Sequence, residues 1–233
     1  MTILETILKI KGGWRRVAKW AVWSLLFLVI AVFVIRVSIF EGDYYKSKEG
    51  SERAVAEQSS ESDQLDETEP TESDVAEYTV APDRPRYLTI EKLGVAKSRI
   101  KPMGVNSKGE LDTPNNIFDV GWYESSGKPG QGGTMIIDGH NGGPHVYGVF
   151  KNLPDLTTGD IIQVERGDGT IFKYKVVENK SVPLSESDKY MSTAARSPEH
   201  GKESVTLISC TGEWSQAQGT YLSRQFTRAI LVD

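Results

Sequence analysis

The chain has 233 residues, room for one or two domains, and a formal net charge of −5 that is spread very unevenly. Residues 1–40 carry a net of +5, residues 41–80 a net of −10, and the remaining 153 residues are neutral overall. The sequence shows no basic patch, which removes nucleic-acid binding from the readings it supports.

The first element is apolar. Residues 20–35 contain no charge and are bracketed by Lys19 and Arg36. If the Arg36 stem snorkels, the run reaches Phe40, and about 20 residues suffice to cross the hydrocarbon core as a helix. Lys9, Lys11, Arg15, Arg16 and Lys19 precede the run, whereas Glu41 and Asp43 follow it. The positive-inside rule then puts the N-terminus, 1–16, in the cytoplasm, the anchor at 17–40, and everything beyond it outside the cell. A cleaved signal peptide is the competing reading, but no small-residue cleavage site follows. Residues 41–80 are rich in Glu, Asp and Ser and poor in large aliphatic side chains. Such a composition predicts a disordered, self-repelling tether.

From Ala81 to Asp233 the pattern changes to short β-favouring runs separated by Gly, Pro, Asn and Asp clusters. Strands are predicted at 86–90, 133–137, 161–165, 171–177, 205–210 and 225–232. Phe172, Tyr174 and Val176 alternate with Lys173 and Lys175, giving one buried and one wet face. Asp168-Gly169 between two such runs marks a hairpin. Short helices are predicted at 146–152 and 185–195, the second opened by the capping pattern Ser185-x-x-Asp188. The fold class is mostly β, most simply a closed barrel or sandwich.

Three residues carry the chemistry. Cys210, the only cysteine, closes the run 205–209 and is followed by Thr211-Gly212, where the backbone can turn away. His140 follows an apolar run in Asp138-Gly139-His140, and Arg224 opens the last strand. A thiolate attacks carbonyls and leaves readily, an imidazole moves the protons, and a guanidinium stays charged and donates two hydrogen bonds to a carbonyl or oxyanion. A lone cysteine is ordinarily a small buried hydrophobe. Outside the membrane, however, an isolated thiol is an oxidation liability that no internal disulfide explains. Arg228 is the one rival to Arg224; His145 and His200 read as ordinary loop histidines.

The order of short motifs from residue 84 onward resembles the sortases, membrane-anchored cysteine transpeptidases of mainly Gram-positive bacteria. The segments are Pro85-Arg86-Tyr87-Leu88-Thr89-Ile90, Leu93-Gly94-Val95, Leu111-Asp112-Thr113-Pro114, Val120-Gly121-Trp122-Tyr123 and Pro129-Gly130-Gln131-Gly132-Gly133. Ile137-Asp138-Gly139-His140, Phe150-x-x-Leu153 ahead of Gly159-Asp160, Thr206-Leu207-Ile208-Ser209-Cys210, and Arg224 with Ala229 complete the set. The Leu-Asp-Thr-Pro and Val-Gly-Trp-Tyr segments are most similar to class D, E and F members.

The resemblance implies a closed β-barrel of about eight strands with short helices, following the transmembrane helix and the tether. It also implies a catalytic histidine at His140, a nucleophile at Cys210 and an arginine at Arg224. The implied substrates are secreted surface proteins with a C-terminal Leu-Pro-x-Thr-Gly-like signal, transferred to an amine of the cell wall. Two departures stand out. Ser209 occupies a place where Thr is usual, and Asp138 one where a small or apolar residue is commoner. A carboxylate at Asp138 would raise the pKa of His140 if the side chains approach. No cofactor is implied, because no set of carboxylates can be placed as a calcium site. A non-catalytic peptide-binding scaffold is the alternative. Other cysteine peptidases fit less well: papain-like enzymes place their cysteine first, and the Ser-His-Gly-Cys motif of L,D-transpeptidases is absent.

Overall fold

A computed structural model describes residues 65–106, 109 and 111–232. They belong to the second of two compact units of the chain, Ser62–Asp233. Among the described residues are eight strands: β1 Pro85–Ile90, β2 Val95–Met103, β3 Val120–Tyr123, β4 Thr134–Gly139, β5 Ile161–Arg166, β6 Ile171–Pro183, β7 Ser204–Ser215 and β8 Thr220–Leu231. Two short α-helices, α1 Glu72–Glu77 and α2 Leu184–Ala194, accompany them. The strands close into one barrel in the order β1-β2-β3-β4-β7-β8-β6-β5. Closure removes the free sheet edges of the barrel itself, and β7 runs on past its pairing with β4 as a hairpin with β8.

Two of the eight junctions are parallel, β2 with β3 and β4 with β7. Parallel neighbours need a crossover connection. Residues 104–119 make the first crossover, and residues 140–203, which contain β5, β6 and α2, make the second. Both crossovers pass the rim where β4 and β7 end, and that passage supplies the groups around Cys210.

Alternation sorts the side chains. Inside the barrel, Leu88, Ile100, Trp122, Ile137, Tyr174 and Leu207 are buried, and Phe150 and Leu153 close one end. Each fully buried side chain of this size contributes roughly 1.5–3 kcal/mol. Outside, a smaller apolar cluster forms from Ile136, Val182, Ile208 and Phe226 under Ala194 of α2. Val205 and Leu207 face in while Ile208 faces out, and the same alternation carries Cys210 to the outer face. Tyr174 and Glu203 form a buried polar pair, with Tyr174 Oη donating to Glu203 Oε1 at 2.6 Å. Glu203 also accepts the Gly130 and Gly132 N–H groups, which fixes the glycine-rich turn before β4.

The six predicted strands are all present, and Asp168-Gly169 makes the β5–β6 turn, with Gly169 at φ 86°. Three expectations need correction. Residues 146–152 form turns rather than a helix. This stretch wraps the end of β4: Phe150 N donates to the His140 carbonyl at 2.9 Å, and a Cβ at Gly148 would come within 2.5 Å of that oxygen. Secondly, α2 starts at Leu184, after Pro183, with no side-chain cap, so Ser185 is not capping it. Thirdly, the tether expected to be disordered over 41–80 carries structure from residue 65. Thr71 and Asp74 form a reciprocal capping box on α1, and Tyr78 Oη donates to the Ile100 carbonyl at 2.5 Å. Asp66 bridges to Asn116, with Asp66 N donating to Asn115 O at 3.0 Å. Averaged over forty residues the acidic composition hides these few anchors. The anchor expected at 17–40 and the remainder of the tether lie outside the described residues; among those described, no helix is long and apolar enough to cross a membrane.

Candidate active site

Strand register brings two of the three candidates face to face. Cys210 on β7 is paired directly with Arg224 on β8. Paired residues of an antiparallel ladder share a face with Cβ atoms about 4.5–5.5 Å apart. The two side chains therefore leave the outer face at neighbouring positions, close enough for the Arg224 charge to act on the thiol. Arg224 is held by the hairpin it belongs to: Nη1 donates to the carbonyls of Tyr221 and Ser223 at 2.9 and 3.1 Å, and Nη2 to Thr220 Oγ1 at 3.1 Å. Its Nε takes part in none of these bonds.

His140 is the first residue beyond β4. The parallel register matches Asp138 with Ile208, and carried two residues further it sets His140 level with Cys210. Ser209, buried at 4 % exposure, locks that register by donating its Oγ to the Gly139 carbonyl at 2.9 Å. Gly139 is glycine for a packing reason, since a Cβ there would meet the Phe150 ring at 2.8 Å.

The imidazole is oriented by a carbonyl. His140 Nε2 lies 2.9 Å from Pro114 O, and a carbonyl oxygen can only accept, so Nε2 carries the hydrogen. In the neutral ring the lone pair then sits on Nδ1, and that nitrogen is the one able to take a proton. Pro114 comes from the β2–β3 crossover, so the register of one parallel junction and the connection of the other meet at this ring.

Electrostatics favour a resting pair without charge. Burial pushes the Cys210 thiol above its ordinary value and Asp138 adds to the rise, while the Arg224 charge works the other way. Burial lowers His140 below its ordinary value, with the bond to Pro114 opposing the change. A raised thiol and a lowered imidazole both disfavour thiolate–imidazolium at rest.

Asp138 behaves otherwise than expected. The raised His140 predicted from its neighbourhood does not occur; the ring is lowered, and the carboxyl engages Thr113 instead, accepting from Thr113 Oγ1 at 2.6 Å. Burial pushes the pKa of Asp138 itself up to about 7, with Asp112 adding to the rise. The fold thus resists ionising a group that the unfolded chain ionises freely, which erodes stability progressively as pH rises from about 4 toward 7.

The remaining polar candidates have other employment. Arg228 is 6 % exposed and donates Nη1 to Glu178 at 2.5 Å, four residues along β8 from Arg224. His145 meets Glu67, with Nδ1 2.9 Å from Oε2. Sequence reasoning missed Thr113 and the Pro114 carbonyl. Both lie in the Leu-Asp-Thr-Pro segment, but no pattern in it indicates which strand end it will meet.

The chain matches the family described as sortase domain over residues 88–232. Among solved structures it is similar to a sortase D5 transpeptidase of Clostridium perfringens, at 22% identity over 70% of this chain and 90% of that one, TM-score 0.45. It is also similar to sortase A of Corynebacterium diphtheriae, at 25% identity, 66% and 62% coverage and TM-score 0.45. Sortase C of Streptococcus pneumoniae follows at 17%, 72% and 75%, with TM-score 0.47. No curated protein sequence matches. On the strength of the family match, the chain belongs to the sortases, a family of cysteine transpeptidases.

Proposed function

We propose that this sortase, of the class D/E/F type, cleaves a C-terminal Leu-Pro-x-Thr-Gly-like signal of secreted proteins and transfers them to an amine of the cell wall. The observation that carries this reading is the pairing of Cys210 with Arg224, with His140 just past the end of the adjoining strand at the same level. Cys210 Sγ bonds to the Thr carbonyl carbon as its proton passes to His140 Nδ1. Arg224 donates to the oxyanion. The C–N bond to glycine then breaks, and the leaving amine takes the proton from His140. In the second half an acceptor amine attacks the thioester, the C–S bond breaks, and the amine's proton returns to sulfur through His140.

Residues 17–40 would anchor the chain with its N-terminus in the cytoplasm and the barrel outside, at the membrane face where secreted substrates and lipid-linked wall precursors meet. The test is to mix the full chain in detergent with a library of signal peptides and a panel of amines. Transfer of the peptide up to Thr onto an amine is the expected product. Peptide binding with no transfer, no cleavage and no reaction with thiol reagents would contradict the proposal and match a non-catalytic scaffold.

A further inference from the structure

Asp138 is a carboxyl that the fold holds at a cost, in a place that needs no charge for stability. It lies on β4 between Gly121 of β3 and Ile208 of β7. A Cβ at Gly121 would come within 2.4 Å of Asp138 Oδ1, so β3 forgoes a side chain to let the carboxyl lie across it. Its other oxygen accepts from Thr113. The next residue, Pro114, holds the His140 ring by its carbonyl. Two β4-side residues two positions apart are thus gripped by two consecutive residues of the 104–119 crossover. Pro114 has no N–H, so no hydrogen bond at its own nitrogen helps to place it. Among the side-chain hydrogen bonds of the described residues, the one to Asp138 is what holds Thr113.

We infer that Asp138 is a positioning residue: by holding Thr113 it fixes the Pro114 carbonyl, which keeps the His140 ring with its proton on Nε2 and its lone pair on Nδ1. The inference rests on the proposed reaction for its consequence, whereas the geometry it explains does not. The titratable groups that feel or act on Asp138 are Cys210 on β7 and Asp112 in the crossover. An ionised Asp138 opposes the Cys210 thiolate. A neutral one keeps the bond to Thr113 without that opposition. With its pKa raised to about 7, the group changes between these forms near neutrality.

The test compares Asp138→Ala, Thr113→Val and Asp138→Asn in the full chain. Three readouts are used: nitrogen chemical shifts of labelled histidine, the pH profile of Cys210 alkylation, and the rate of thioester formation. Asp138→Ala and Thr113→Val are expected to shift His140 from the Nε2–H form to a mixture. Each should slow thioester formation about tenfold or more through kcat, with KM little changed, because a misaimed group lowers the rate without weakening binding. Asp138→Asn still accepts from Thr113 and carries no charge. It is expected to keep the Nε2–H form, to recover most of the rate, and to move the alkylation profile to lower pH. Retention of the Nε2–H form in both Asp138→Ala and Thr113→Val would overturn the inference. So would an Asp138→Asn variant as slow as Asp138→Ala with an unmoved alkylation profile. If Asp138→Ala does not fold, the other two variants decide. Should the parent chain form no thioester at all, the proposed reaction fails while the tautomer and alkylation readouts still judge Asp138.

Discussion

Replacing Cys210 with alanine is expected to abolish thioester formation with a sorting-signal peptide and to leave the barrel folded. No second thiol exists to take over, because the chain has one cysteine. The loss is expected to be at least about 10⁴-fold, since the covalent route vanishes rather than slows. The fold survives for a local reason. Cys210 is half-buried at the rim, its backbone pairing with Arg224 does not involve the sulfur, and the register is locked by Ser209 beside it. Truncation at such a place costs about 1 kcal/mol. Mass spectrometry of peptide-treated protein and a denaturant titration measure the two halves. An adduct surviving in the alanine variant, or a variant that does not fold, would contradict the assignment.

His140→Ala is the second large effect, expected at about 10²–10⁴-fold on thioester formation, the usual range for a lost general acid–base. The parent's pH profile follows from the same two shifts. With His140 below its ordinary 6.5 and Cys210 above its ordinary 9.0, both are neutral across the interval between. The small fraction that exists as thiolate–imidazolium is constant over that interval. The rate of thioester formation should therefore plateau there. It falls on the acid side as the imidazole is protonated at rest, and on the alkaline side as the imidazolium needed by the leaving amine is lost. Ionisation of Asp138 near neutrality adds a shallower step. A sharp optimum with both limbs inside the ordinary values, 6.5 and 9.0, would contradict the lowered imidazole and the raised thiol.

The strands that carry Cys210, His140 and Arg224 were legible because each is an apolar or alternating run bounded by glycine or polar residues. β2 and β3 were not. β2 spells Val-Ala-Lys-Ser-Arg-Ile-Lys-Pro-Met, and Lys97 at φ 51° breaks its alternation. β3 is four residues long with Gly121 in the second place, and glycine weakens strand propensity. That glycine is there for the Asp138 carboxyl, a contact between residues seventeen positions apart.

The resemblance supplied the positions of the three site residues, and register explains how they converge. What a sequence does not disclose is which backbone carbonyl meets which ring. The Pro114 contact fixes the His140 tautomer, yet it depends on the path of the 104–119 crossover. The same holds for Asp138, whose closeness in sequence to His140 suggested a direct effect. Its hydrogen bond to Thr113 takes it elsewhere.

The most direct measurement is peptide mapping by mass spectrometry after the full chain is quenched with a Leu-Pro-x-Thr-Gly peptide. The fragment containing Cys210 is expected to gain the mass of the peptide up to its threonine, and hydroxylamine to remove this mass as the hydroxamate. Cleavage of the peptide with the Cys210 fragment unmodified at every quench time would contradict it.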